Sequence, residues 1–374
     1  MLTGLAGLAA ITIALIGCSS TPQAAETPVT SSSAFSSAPP SSTASSTPTP
    51  TPTPSTTPRT TPKPTTAKTT PKATPKPKPT PKPAARNPLT GGKVSNNPVV
   101  AVKIDNTSAG RPQYGISRAD VVYIEQVEGG LTRMMAVFHT HLPTEVGPVR
   151  SVRTTDVELL RAYGKPILVF SGGAGGPLAV LAASPVIDAS AANGYWRSDA
   201  AYSPYNLHAD LTKVVASVSG AGKAQSIGFT FAPSDKSLAK APKATSIDVT
   251  MQVGYTGFRY VSAKGNYSVL NSDGTAVDAT GGTLTAANVL VQNVIDEPDG
   301  NYDSIGSPSF LTHTVGHGTF TLYRDGRAIS GKWYRDSADQ ATRYIDPATH
   351  KPVSFKPGNT WVMLAPQNAV VTAG

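Results

Sequence analysis

The residues best suited to chemistry lie between positions 105 and 153: Asp105, Arg111, Glu125, Glu128, Arg133, Arg150 and Arg153. Guanidinium groups bind carboxylates and phosphates through paired donors, so arginines turned toward solvent make an anion pocket. The same arginines turned inward would neutralise Asp105, Glu125 and Glu128 as a structural network. Both readings stand on the sequence alone. Glu125 and Glu128 can also be read as an acid–base pair acting on a glycan. Acids beside arginines tend to have lowered pKa values, which counts against a general acid.

Weaker candidates surround this group. Residues 171–176 (SGGAGG) follow an apolar run and precede a helical one, the position of a phosphate cradle. Neither GxxxxGK[ST] nor GxGxxG is present, which favours a turn that rims a crevice. Ser171 is not in a GxSxG elbow. His139 and His141 would share one face of a strand, but zinc needs at least a third ligand. Tyr195, Trp196, Arg197, Tyr202, Tyr205 and Asn206 offer aromatic faces and an amide suited to sugars, or else a loop anchor. Trp333 and Trp361 read as core. No cofactor is expected.

The elements that must position these residues follow from local pattern. Residues 99–104 and 121–127 are β-branched runs, and Gly129-Gly130 turns the second into residues 131–141 as a hairpin. If Glu128 opposes Leu131 across that turn, Arg133 lies diagonally within its reach. A capping box is expected with Thr155 as N-cap and Glu158 reaching back, the helix ending at Gly164. Arg150 and Arg153 would then sit before a helix N-terminus, which favours an anion. Residues 167–170 form a short strand, and a helix starts at Pro177. From 245 onward the pattern is strand-like, with turns at Asp273-Gly274 and Asp325-Gly326. The expected fold is an α/β (α+β) domain with a mixed sheet at 87–240, then a smaller antiparallel β-rich domain at 241–374.

The first 86 residues are of another kind. Residues 2–16 are apolar and uncharged, short for a membrane span and suited to a secretory signal. They lead into Leu15-Ile16-Gly17-Cys18, which resembles the lipobox of bacterial lipoproteins, so residues 1–18 read as a signal with Cys18 lipidated. Residues 19–86 hold 17 of the 34 prolines and little to bury, which reads as a disordered linker. Extended at about 3.1 Å per residue, it would reach about 200 Å.

The charge follows this division. The chain carries 32 Lys+Arg against 23 Asp+Glu, but residues 19–86 hold eight basic residues and one acid. The body, 87–374, is therefore 24 against 22, only +2. That excludes the basic footprint of a nucleic-acid groove. With the single Cys at position 18, the body has no thiol nucleophile and no internal disulfide.

An ordered string of motifs carries a resemblance. It runs through Asn87-Pro88-Leu89-Thr90-Gly91, Ile104-Asp105-Asn106, Arg111-Pro112-Gln113, residues 117–123 (SRADVVY), Glu128-Gly129-Gly130 with Thr132-Arg133, and residues 147–153 (GPVRSVR). It continues through Arg197-Ser198, Asn206-Leu207, Gly331-Lys332-Trp333 and residues 357–361 (PGNTW). Over nearly all of 87–374 the chain resembles the YerB-type bacterial lipoproteins, a family built on a domain of unknown function. The resemblance implies an extracytoplasmic lipoprotein with an α/β part and a smaller C-terminal part, and no established activity.

The resulting expectation is a lipoprotein anchored to the cell membrane through Cys18, binding an anionic cell-envelope ligand. Arg111, Arg133, Arg150 and Arg153 would contact the anion, Glu128 would orient Arg133, and Asn206 would add a hydrogen bond. A glycan-processing enzyme using Glu125 and Glu128 is the first alternative, and a scaffold for envelope proteins the second.

Overall fold

Three strands form the centre because most of their residues on both faces are apolar. They are β1 (Val100–Asp105), β2 (Val121–Gln126) and β3 (Thr132–Phe138), and every one of their residues is buried. Such runs need cover on both sides. Val102, Ile104, Val122, Ile124, Met134 and Ala136 face one layer, while Ala101, Tyr123, Met135 and Val137 face the other. The structure, a computed structural model, describes residues 85–374, which belong to one compact unit. Cys18 and nearly all of the expected linker lie outside the described residues.

β2 and β3 form the expected antiparallel hairpin, with Glu125 opposite Arg133. Gly129 and Gly130 make its turn at φ +64° and +71°, a region that side chains resist. β1 pairs with the other edge of β3 and, in parallel, with β4 (Ile167–Val169), which pairs with β5 (Ile187–Asp188). On the far side, β2 pairs in parallel with Thr360–Ala365, followed by Asn288–Asn293, Gly316–Arg324, Arg327–Arg335 and Arg343–Ile345. One mixed ten-stranded sheet therefore takes five strands from each side of residue 240. The Asp325-Gly326 turn is as expected, with both residues at positive φ.

The second sheet is smaller and antiparallel, built on Ser246–Met251, Gly254–Val261 and Asn266–Asn271, with Val370–Ala373 at one edge. Ile247, Val249 and Phe258 pack with Val122, Ile124 and Trp361. Burying each such side chain contributes about 1.5–3 kcal/mol. Trp361 and Trp333 are both core.

The α/β expectation for the first half holds only in part. The sheet is mixed, but the helices are few and short: α1 (Thr154–Leu160), α2 (Gly175–Ala182) and α3 (Leu211–Ser217). α1 starts two residues earlier than a cap at Thr155 would place it. Its N-cap is Arg153, and the acid that reaches back is Asp156, accepting from Arg153 N at 2.7 Å. Glu158 instead accepts from Thr314 N and Val315 N. Over α1 lies a two-stranded flap, Asp296–Tyr302 with Pro308–Thr312. Thr155 Oγ1 accepts from Thr312 N, and Thr154 Oγ1 donates to Asp299, both at 2.8 Å.

Candidate functional site

The site grows from the ends of β1, β2 and β3. On the face that meets α1, the register sets Asp105, Arg133 and Glu125 side by side on three adjacent strands. The segment after Pro148 lies along β1: Pro148 O accepts from Asp105 N, and Arg150 N donates to Lys103 O. The glycine-rich loop lies along the same segment, with Ser171 N donating to Arg150 O and Val152 N to Gly172 O. A Cβ on Gly173 would come within 2.7 Å of Val152, so this close approach requires glycine. Arg150 and Arg153 are thereby fixed beside Arg133.

A cleft of about 390 Å³ opens where they meet. Glu128, Arg133, Arg150, Ser151 and Arg153 line it from one side, Gly173, Ala174 and Pro177 from the glycine loop and α2. Tyr302, Asp303, Ser304 and Ser309 close it from the flap. Four of the six expected binding residues thus converge. The flap residues were missed: Asp296–Tyr302 (DEPDGNY) has no apolar alternation to mark it as a strand.

The pairings differ from expectation. Glu128 engages Arg153, 2.6 Å from Nε and 2.7 Å from Nη2, so it does not orient Arg133. The reason is that residues 128–130 curl into a 3-10 turn, carrying Glu128 off the strand's diagonal. Asp105 pairs with Arg150 and also accepts from Thr107 N. Arg133 is left with Thr132 O at 3.2 Å and an Asp105 oxygen at 3.6 Å. Burial, against the partial compensation of Asp105, pushes the Arg133 guanidinium down to about 10. Side-chain exposures of 18% for Arg150, 14% for Arg153 and 7% for Arg133 show that these groups only edge into the cleft.

Behind them is a fully buried triad that the sequence did not announce. Lys103 contacts Glu125 and lies 2.7 Å from Asp156. Burial lowers Lys103 to about 8, with Asp156 opposing the shift. Glu125 is therefore not on the cleft wall. A lysine set between Val102 and Ile104 in the two-face-buried run VAVKID was the available signal.

Two expected residues lie elsewhere. Arg111 donates to Asn106 O at 2.9 Å and to Ser272 and Asp273, tying the strand end to the second sheet. Asn206 accepts from Arg197 at 2.8 Å and donates to Ser198 O, closing the loop that follows β6 (Tyr195–Arg197). That loop still touches the site, because Arg150 lies over the Tyr205 ring at 5.3 Å. His139 and His141 do not share a strand face: β3 ends at Phe138, His139 is buried and His141 exposed. Among the described residues no group of three or more His, Cys, Asp or Glu could hold a metal ion.

Comparison with known proteins adds the family. Residues 87–224 match the "Protein of unknown function (DUF3048) N-terminal domain", and residues 247–362 match its C-terminal domain. The chain belongs to this family. The cleft draws on both matched regions, since the flap lies in the second. The chain is 29% identical over 307 residues to "Putative lipoprotein YerB" of Bacillus subtilis (strain 168), covering 75% of this chain and 86% of that protein. It also superimposes on the crystal structure of YerB protein from Bacillus subtilis with a TM-score of 0.65 at 22% identity. That match covers 77% of this chain and all of the other, and at this identity it speaks for the fold. No helix among the described residues is long and apolar enough to cross a membrane.

Proposed function

We propose that this chain is an extracytoplasmic lipoprotein, held to the cell membrane through Cys18, whose body binds an anionic ligand of the cell envelope at the arginine cleft. The observation that carries the reading is Arg133. It is a buried guanidinium with one carbonyl bond and one distant carboxylate, beside two further arginines on a cleft. An incoming anion supplies the missing acceptor, and in a water-poor site such charge-assisted bonds are strong. Backbone from the glycine loop and hydroxyls of Ser151, Ser304 and Ser309 add polar partners. The lipobox and the relative's name as a lipoprotein support the anchor. The glycan-processing alternative has less support, because Glu125 faces Lys103 and Glu128 is engaged by Arg153.

A thermal-shift series on the full-length protein with carboxylates and phosphates tests the site. A ligand at 100 times its dissociation constant adds about 2.7 kcal/mol if it binds only the native state. The shift should disappear in Arg150→Ala; an unchanged shift in a folded variant removes the assignment. For the anchor, Cys18→Ser should move the protein from the membrane fraction to the medium.

A further inference from the structure

The loop between β6 and β7 (Leu207–Ala209) carries two tyrosines, one of which, Tyr205, reaches the cleft wall through Arg150. Tyr205 packs under Arg150, which itself lines the cleft, and Tyr202 meets Tyr205 edge-on with centroids 5.4 Å apart. Tyr202 is 69% exposed. The loop is held closed by the Arg197–Asn206–Ser198 bonds and by Tyr205 N donating to Tyr202 O at 2.8 Å. An exposed ring held in place this way gives up little freedom when a ligand lies on it. The residues beside Tyr202 (Ala200, Ala201, Ser203, Pro204) are small and exposed, so within the loop the apolar area is that of the tyrosine rings. A tyrosine pair with hydroxyls at its rim suits a sugar ring, which has C–H faces and O–H edges.

Charge limits the other end of the ligand. Arg150 takes Asp105 and Arg153 takes Glu128, which leaves Arg133 as the one arginine of the three with no close carboxylate of its own. Across the cleft Asp303 accepts from Ile305 N and Ser307 N, so its carboxylate is fixed there and opposes a second negative charge. We infer that the ligand is a saccharide carrying a single negative charge, with its anion among Arg133, Arg150 and Arg153 and its ring on the shelf of Tyr205 and Tyr202. This rests on the anion-site reading proposed above. A carboxylate on the sugar and a phosphodiester share the required charge.

Calorimetry on the full-length protein in detergent separates the parts. The probes are N-acetylmuramic acid (ring and carboxylate), lactate (carboxylate alone), N-acetylglucosamine (ring alone), a glucosyl glycerophosphodiester, and glucose 6-phosphate. N-acetylmuramic acid or the phosphodiester should bind about tenfold tighter than lactate, the scale of one aromatic contact. Whichever of the two is tighter identifies the anion's source. Tyr202→Ala should remove that tenfold gain and leave lactate unchanged, while Tyr202→Phe keeps most of it. Equal binding of lactate and both conjugates, or no effect of Tyr202→Ala, overturns the shelf and leaves the anion site intact. Tighter binding of glucose 6-phosphate overturns the single charge. Binding by none of the anions overturns both this inference and the anion site.

Discussion

Arg335 and Arg133 are both buried arginines, and their donors are satisfied to opposite extents. Arg335 donates to the carbonyls of Gln340, Glu158, Leu159 and Ala338 and to Thr314 Oγ1, at 2.5–3.3 Å. All three of its nitrogens are engaged by fixed acceptors, and it ties α1 to the end of the Arg327–Arg335 strand. Arg133 makes one carbonyl bond and lies on a cleft. The lesson is that burial alone does not mark an arginine as structural; the count of satisfied donors is what separates Arg335 from Arg133, and it is the ground for the proposed anion site. Lys103 belongs with Arg335, buried and paired to two carboxylates, though it stands directly behind the cleft.

The contrast can be broken by substitution. Arg335→Leu strands five acceptors and should cost the most, about 4 kcal/mol or more in urea denaturation. A cost below about 1 kcal/mol would erase the distinction. Lys103→Met leaves Glu125 and Asp156 buried without their cation, at about 3 kcal/mol. Its pH profile gives a second check. Lys103 is held at about 8 in the fold against an ordinary 10.5, so between these values the unfolded chain binds more protons. Stability from this group therefore rises with pH across that window, and the Met variant should lack the rise.

Asp296 sharpens the comparison from the acid side. It is a largely buried carboxyl with no arginine, and neither oxygen makes an aligned bond although Thr312 is near. Burial raises it to about 6 from 3.8, so the native state binds more protons between those values and stability falls as pH rises through them. Asp296→Asn should stabilise by about 1 kcal/mol at pH 7 and flatten that fall in a melting series. The smallest stability change, within about 1 kcal/mol, belongs to Arg133→Met, because Asp105 keeps Arg150. The same variant should bind no anion in calorimetry, which is where Arg133 and Arg335 part.

Local signals in the sequence carried the central hairpin and the turns at Gly129-Gly130 and Asp325-Gly326; Gly164 ends not α1 itself, which stops at Leu160, but the 3-10 turn Arg161–Tyr163 that continues it. Those signals also brought Arg133, Arg150, Arg153 and Glu128 to one place, since a hairpin and a nearby cap require only short-range rules. The partners were not legible. Glu128 binding Arg153 rather than Arg133 depends on a 3-10 turn a few residues long, and Asp156 rather than Glu158 caps α1 because the N-cap falls two residues early, at Arg153. Arg111 and Asn206 looked equivalent to the others by residue type, but each is spent on closing a loop. The flap and the placement of Thr360–Ala365 against β2 depend on contacts far apart in the chain, for which alternation gives no address.

That last pairing sets the order in which the molecule can be completed. The strand that covers the edge of β2 is made some 240 residues after β2 itself. Until it arrives, a buried-type strand of Val, Ile and Tyr presents an open ladder to any other chain. A protein that crosses a membrane as an extended thread and folds afterwards, with its whole length present at once, avoids that waiting period. The same chain made slowly in one compartment, or cut short before residue 360, keeps a sticky edge and is expected to aggregate or be degraded.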